Sequence, residues 1–281
     1  MAGPTEATLL DLDWLEICRR IVSAQQEVFA AEAGIAARTA YEGVGEGGDR
    51  ALVIDRRCED IVFAELEALH RAGHQFAAIS EERGEVRFGD PQSLVVIDPI
   101  DGSLNARRTL PSHALSLALA TGNSMAQVEF GYVFDFGAAE EFVARRGAGA
   151  RLDGQPLEAL GPGYGLELVG LEAAKPELIL PLLEGLAGKA FRVRAVGAIA
   201  ISLCYVAAGR FDGMIAARSC RSVDAAAGQL IAREAGASVD FHGFDLADAE
   251  LDLAARYDLA AALDEEMLAT LIELRPAADR A

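Results

Sequence analysis

Apolar residues at Leu9, Leu12, Ile17, Ile21, Val28 and Phe29 recur at helical spacing. The pattern predicts one long helix from Thr5 to about Ala33, opened by acidic residues that suit its dipole. A second stripe, Ile61, Phe63, Leu66 and Leu69, predicts a helix from about Arg56 to Ala72 that Gly73 ends. Between the two lies a glycine-rich loop, EGVGEGGD at 42–49. From Phe76 the apolar runs shorten. FAAIS at 76–80, SLVVIDP at 93–99, ALSLALA at 114–120 and VEFGYVF at 128–134 predict strands, and EEFVARRGAGARLDG at 140–154 predicts a hairpin. Further on, LELVGLEA at 166–173, FRVRAVG at 191–197 and DGMIAAR at 212–218 predict strands, with helices near 176–187, 198–209, 222–236 and 264–274.

Two leading helices, a run of strands and then alternating strands and helices predict a layered α/β (α+β) fold with two sheets. The expected division is an α+β half at 1–155 and a more nearly βαβ half at 156–281, with Gly154, Gly161, Pro162, Gly163 and Gly165 marking the join. No linker composition separates the halves, so they should pack tightly. No repeat of solenoid or propeller period occurs. The longest apolar stretch, Ala195 to Gly209, falls short of the roughly 20 residues that span a bilayer and reads as a buried helix.

Composition narrows the function. At 281 residues, 52% hydrophobic and 25% charged, the chain is of the globular class and can bury a core without disulfides or a structural metal. Its 25 basic and 44 acidic residues leave a formal charge of −19, which repels nucleic acid and anionic membranes. An anionic substrate meets the same repulsion, so holding one requires cations gathered at its site, and a surplus of carboxylates suits divalent metals. The N-terminal stretch MAGPTEATLLDLDWLEICRR lacks the basic-then-apolar plan of a signal peptide. Cys18, Cys58, Cys204 and Cys220 show no paired spacing, as expected of buried thiols in the cytoplasm. His70, His74, His113 and His242 are scattered, which offers no zinc site.

Three acidic clusters sit where strands end or helices begin. Ser80-Glu81-Glu82 lies at the end of FAAIS, and alone it reads more commonly as an exposed acidic turn. Asp98-Pro99-Ile100-Asp101-Gly102-Ser103 closes an apolar strand. Pro99 fixes the backbone there, so that Asp98, Asp101 and the Ile100 carbonyl can converge as hard oxygen donors. Gly102 permits close backbone approach, and its amide and that of Ser103 can cradle an anion; a plain turn is the alternative. Ser222-Val223-Asp224 opens a helix of small residues, with Ser222 the expected N-cap and Asp224 in the first turn.

The motifs SEE at 80–82, DPIDGSLN at 98–105 and VDAAAGQLIAREAG at 223–236, in this order and spacing, resemble the inositol monophosphatase family of metal-dependent, lithium-sensitive sugar phosphatases. IDRRCEDIVFAEL at 54–66 and RAVGAIAISLCYVAAGRFDG at 194–213 are similar to the family too, so the resemblance covers nearly the whole chain. It implies the family's α/β/α/β layered fold. It also implies Glu81, Asp98, the Ile100 carbonyl, Asp101 and Asp224 as ligands for two or three Mg²⁺ ions, with Mn²⁺ an alternative. Ser103 stands where the family orients the attacking water, Asp55 where that hydroxyl has its acidic partner, and Glu81 would hold the same water, with Glu82 outside it. Gly102, Ser103, Gly197 and Ala198 match the substrate side.

The resemblance implies hydrolysis of a small polyol or sugar phosphate, inositol 1-phosphate first, by a homodimer. Val223 and Ala106 replace aromatic residues common in the family, away from the ligands. Ala217 stands where the animal inositol enzymes carry a Glu that meets inositol hydroxyls, and Arg218 and Arg221 resemble the archaeal-type members that also accept fructose 1,6-bisphosphate. Arg194 and the Arg107-Arg108 pair read either as site or as surface residues. Fructose-1,6-bisphosphatase is therefore the alternative activity, with histidinol-phosphate and nucleotide 3′-phosphate hydrolysis also open. A catalytically silent binding or regulatory protein on the same scaffold is the alternative of another class.

Overall fold

The structure, a computed structural model, describes residues 8–38, 53–89, 91, 93–158, 165–172 and 175–274, leaving aside the side chains of 217–219. The glycine-rich stretch at 42–49 and the start of the first predicted helix fall outside these residues. That helix, α1, runs over Trp14–Ala31, capped by the Asp13 side chain, which accepts from the Glu16 amide. A short α2 (Ile35–Arg38) follows, and α3 spans Val53–Arg71. Gly73, at φ +103°, turns the chain out of it.

The first sheet has eight strands: β1 (Phe76–Ser80), β2 (Gly84–Phe88), β3 (Leu94–Asp101), β4 (Ala114–Ala120), β5 (Val128–Asp135), β6 (Glu140–Arg145), β7 (Ala150–Leu152) and β8 (Gln155–Pro156). Their spatial order is β2-β1-β3-β4-β5-β6-β7-β8, and only the β1–β3 pair is parallel. The second sheet, in the order β10-β9-β11-β13-β12, is built from β9 (Leu166–Glu172), β10 (Ala190–Arg194), β11 (Gly213–Cys220), β12 (Ser238–Phe241) and β13 (Tyr257–Ala262). In it β9, β10 and β11 run parallel, joined by crossovers through α5 (Pro176–Leu186) and α6 (Ile199–Ala207). After α7 (Ser222–Glu234), the antiparallel β12 and β13 lead to α8 (Glu265–Glu273).

These elements stack as layers. One face of the first sheet meets α1 and α3 through Trp14, Ile21, Phe63, Leu66 and Tyr132, and the Trp14 indole donates to the Leu9 carbonyl at 2.7 Å. Its other face meets α6 and α7, which also cover the inner face of the second sheet. The second sheet's outer face carries α5 and α8, through Leu182, Leu186, Met267 and Leu271. The layered α/β/α/β arrangement with two sheets thus acquires a fifth, outer helical layer.

The middle layer is thin by design of its sequence. Every residue of α7 from Ser222 to Ala232 is buried, including Ala225, Ala226, Ala227 and Gly228. At Gly131 of β5 a Cβ would lie 2.8 Å from the Ala227 carbonyl, so strand and helix backbones touch with no side chain between them. This close approach brings the start of α7 beside β3 and β4 of the first sheet.

Candidate active site

Three arms of the fold converge at the ends of β1, β3 and α7. On the first arm, all five residues of β1 are buried and the chain then turns sharply through Glu81. Glu59 of α3 fixes this turn: it accepts from the Ser80 hydroxyl on one side and from the Arg83 amide, at 3.1 Å, on the other. Asp55 lies four residues before Glu59, on the same helix face, and both are buried.

The second arm departs from the sequence expectation in an instructive way. β3 does not stop at Pro99; it continues to Asp101 through an irregularity, with Asp98 opposite Ser116 and Asp101 opposite Ala114. Residues three apart on a regular strand face opposite sides. Three steps on β3 against two on β4 are a bulge, which lets Asp98 and Asp101 face the same cavity. Asp98 accepts from the Ile100 amide at 2.9 Å, and the Pro99 carbonyl accepts from the fully buried Gln25 of α1 at 3.1 Å. Gly102, at φ +85°, then starts the short helix α4 (Ser103–Arg107). No larger residue fits there, because a Cβ would lie 2.8 Å from the Ser112 carbonyl and 3.1 Å from that of Gly197. Gly197 is locked the other way, with φ +79° and the Asn105 amide 2.9 Å from the place of a Cβ.

The third arm is α7. Its N-cap is Arg221 rather than the expected Ser222, which sits inside the helix and donates to the Asp252 carbonyl. Asp224 accepts from the Arg221 amide at 2.8 Å, tying the first turn. The Arg221 guanidinium reaches across to Glu81 at 2.7 Å and back to Asp224 at 3.5 Å.

Glu81, Asp98, Ile100, Asp101, Gly102, Ser103 and Asp224 all line one cavity of about 500 Å³, a size typical of small-molecule sites. A side chamber of about 10 Å³, room for about one water, is bordered by Asp55, Glu82 and Pro99 and shares Glu81, Asp98, Ile100 and Ser103 with it. Gly197 lines the main cavity, whereas Ala198, only 1% exposed at the N-cap of α6, is set back from it. Arg194 is exposed and donates to the adjacent Val193 carbonyl, away from the cavity. The side chains of Ala217 and Arg218 fall outside the described residues.

Burial, reinforced by Glu81, Asp101 and Asp224, holds the Asp98 carboxyl well above the usual carboxylate range. Asp101 is raised by burial and by Asp224, partly offset by the Ala200 amide, which donates to it at 2.6 Å. Asp224 is raised by burial against the pull of Arg221. Such a set stores repulsion that a bound cation relieves. Among the described residues no three of these side chains close on a single point as they stand. They ring a shared cavity in which Arg221 bridges Glu81 and Asp224. The donors are all hard oxygens, the chemistry that fits Mg²⁺ or Mn²⁺ and disfavours zinc or copper.

Sequence reasoning did not find Glu59, Gln25, Glu172 or Lys175. Glu59 was signalled by its four-residue spacing from Asp55. Glu172 and Lys175 reach the cavity only through the packing of the second sheet. Arg221, considered for a second phosphate, is engaged by two site carboxylates.

Comparison with known proteins agrees with this geometry. The chain is 31% identical over 266 residues to a fructose-1,6-bisphosphatase/inositol-1-monophosphatase of Thermococcus kodakarensis, covering 94% of this chain and 98% of that protein. An inositol-1-monophosphatase of Mesorhizobium japonicum is 34% identical over 199 residues, 68% of this chain and 72% of its own. A crystal structure described as an inositol monophosphatase–fructose 1,6 bisphosphatase superposes with a TM-score of 0.79 at 27% identity, over 94% of this chain and all (100%) of that one. The sequence profile of the inositol monophosphatase family matches residues 14–279, and the chain belongs to that family.

Proposed function

We propose that the protein hydrolyses a small polyol or sugar phosphate monoester, inositol 1-phosphate first among them, by attack of water without a covalent intermediate. The observation that carries this reading is the single cavity on which Glu81, Asp98, Ile100, Asp101, Ser103 and Asp224 converge from three separate arms. Glu81, Asp98, the Ile100 carbonyl, Asp101 and Asp224 would hold the metal, Mg²⁺ or Mn²⁺, as two or three ions. Bound there, divalent ions supply Lewis acidity, a lowered pKa for bound water and charge neutralisation for the leaving oxygen.

The chain's own residues do the rest. Ser103 borders both the main cavity and the water-sized chamber, with Asp55 in that chamber behind it. The pair would orient the attacking water, and Glu81, on the rim of both, would accept its proton. Gly102 and Ser103 would present backbone amides to the phosphate, while Gly197 shapes the substrate side. Family membership also supports a homodimer working in the cytoplasm; no described helix is long and apolar enough to cross a membrane.

A second reading, fructose-1,6-bisphosphatase, is favoured by Lys175. It lines the same cavity, and among the described residues it forms no ion pair, so it can meet a second phosphate. Phosphate release from inositol 1-phosphate and fructose 1,6-bisphosphate, with and without Mg²⁺, tests both readings. Turnover should require Mg²⁺ and fall by about a hundred- to a thousandfold in Asp98→Asn, the scale of losing an electrostatic catalytic group. The preferred ester separates the two readings, and failure on both esters would overturn them.

A further inference from the structure

We infer that Glu172 is a positioning residue that ties the second sheet's share of the site to the first sheet's, setting both the substrate-side turn and Asp101. The kinetic arm of this inference rests on the phosphatase reading above; its metal-binding arm does not.

Glu172 ends β9 at the cavity wall and is 1% exposed. Among the described residues it forms no ion pair. A carboxylate buried without a cation is tolerated only when hydrogen bonds replace its water. Here they come from one place. Glu172 accepts from the Val196 amide at 3.1 Å and the Gly197 amide at 2.8 Å, and from the Ser202 hydroxyl at 2.6 Å. Two of these donors share one carboxylate oxygen and the third takes the other, so most of the acceptor capacity of Glu172 is spent on this turn and helix rather than on a substrate hydroxyl. Its role is to hold those donors.

What it holds matters to the chemistry. The donors are the turn before α6 and that helix's first turn, where backbone N–H groups and the helix dipole favour anions. The same helix start donates the Ala200 amide to Asp101 at 2.6 Å. The N-terminus of α6 is thus clasped by two carboxylates, Glu172 from the second sheet and Asp101 from the first. On its far side the turn presents the Val196 and Gly197 carbonyls to the Asn105 amide, at 2.8 and 3.4 Å. Gly197 also lies directly against Gly102. A shift of this turn by a few tenths of an ångström therefore reaches Asp101, Gly102 and Asn105 together.

The test uses Glu172→Gln, which keeps the shape but turns an NH₂ toward backbone donors, and Ser202→Ala, which removes one of the three. Mn²⁺ affinity is measured by electron paramagnetic resonance on the purified protein, alongside KM and kcat on inositol 1-phosphate at saturating Mg²⁺, and thermal stability. Glu172→Gln should weaken Mn²⁺ binding and raise KM by about tenfold each, the scale of losing a group that orients a ligand, with kcat within about threefold. Ser202→Ala should shift both in the same direction by about fivefold. A Glu172→Gln protein that melts earlier but keeps wild-type Mn²⁺ affinity and KM overturns the inference, since a purely structural role would move stability alone. Should Glu172→Gln fail to fold, unchanged Mn²⁺ affinity and KM in Ser202→Ala overturn it instead. Should wild type release no phosphate from either ester, the phosphatase reading falls while Mn²⁺ affinity still decides Glu172.

Discussion

Asp98, Asp101 and Asp224 are carboxylates that the fold keeps from ionising easily, and this has a sign. Their protons must leave before a divalent ion binds, so acid competes with metal. Lowering the pH should raise the half-saturating Mg²⁺ concentration, because each carboxyl that takes up a proton must lose it again to bind the ion. Titrations at about pH 6 and about pH 8 would check it. With metal chelated, the same groups bind more protons folded than unfolded. Between the ordinary carboxylate range and their raised values, stability should therefore fall as pH rises. Saturating Mg²⁺ should flatten that slope. The identity of these residues was legible because D-P-I-D-G-S is a local pattern: five consecutive peptide units set the donors close regardless of the rest of the chain. The bonds of Glu172 were not legible, since its partners lie 24 to 30 residues away and meet it only when β9 and α6 pack. Arg221 has a sequence signal, but its pairing with Glu81 joins the β1–β2 turn to the start of α7 and has none.

At the scale of elements, the site depends on how three ends are tethered. The β1–β2 turn hangs on Glu59, whose acid is raised by burial and held by Ser80 and the backbone of Arg83. Glu59→Ala should cost about 2 kcal/mol, the range for stripping partners from buried polar groups. It should also lower kcat/KM, by loosening Glu81, more than the stability loss explains. Urea unfolding and phosphate release measured on the same preparation would show both. Most elements followed their periodicity: α3, β1, β4, β5 and α6 lie within a few residues of where the pattern put them. Those not read had weak local signals. β13, YDLAAA, is alanine-rich and looks helical, while β2 and β12 are short, and α4 has only five residues. Each is fixed by its neighbours rather than by its own propensity.

Across the whole molecule, the order of helices, strands and alternating units was enough to predict layers and two sheets, because connectivity limits how such elements stack. The outer layer of α5 and α8 followed from no pattern in either helix alone. Net charge acts at this scale as well. A surface at −19 repels a phosphate ester before it reaches the cavity. Added KCl should therefore raise kcat/KM by about twofold or more at fixed Mg²⁺, as screening shortens the repulsion, whereas a neutral osmolyte should not. The burial of α7 has a consequence for when the site is lost. Asp224 rides on a helix buried from Ser222 to Ala232 between two sheets, so the amides of that span are exposed mainly when those sheets part. Heat will not fray this arm first. The cavity's other walls can breathe, but the α7 carboxylate is released only with the global collapse of the fold.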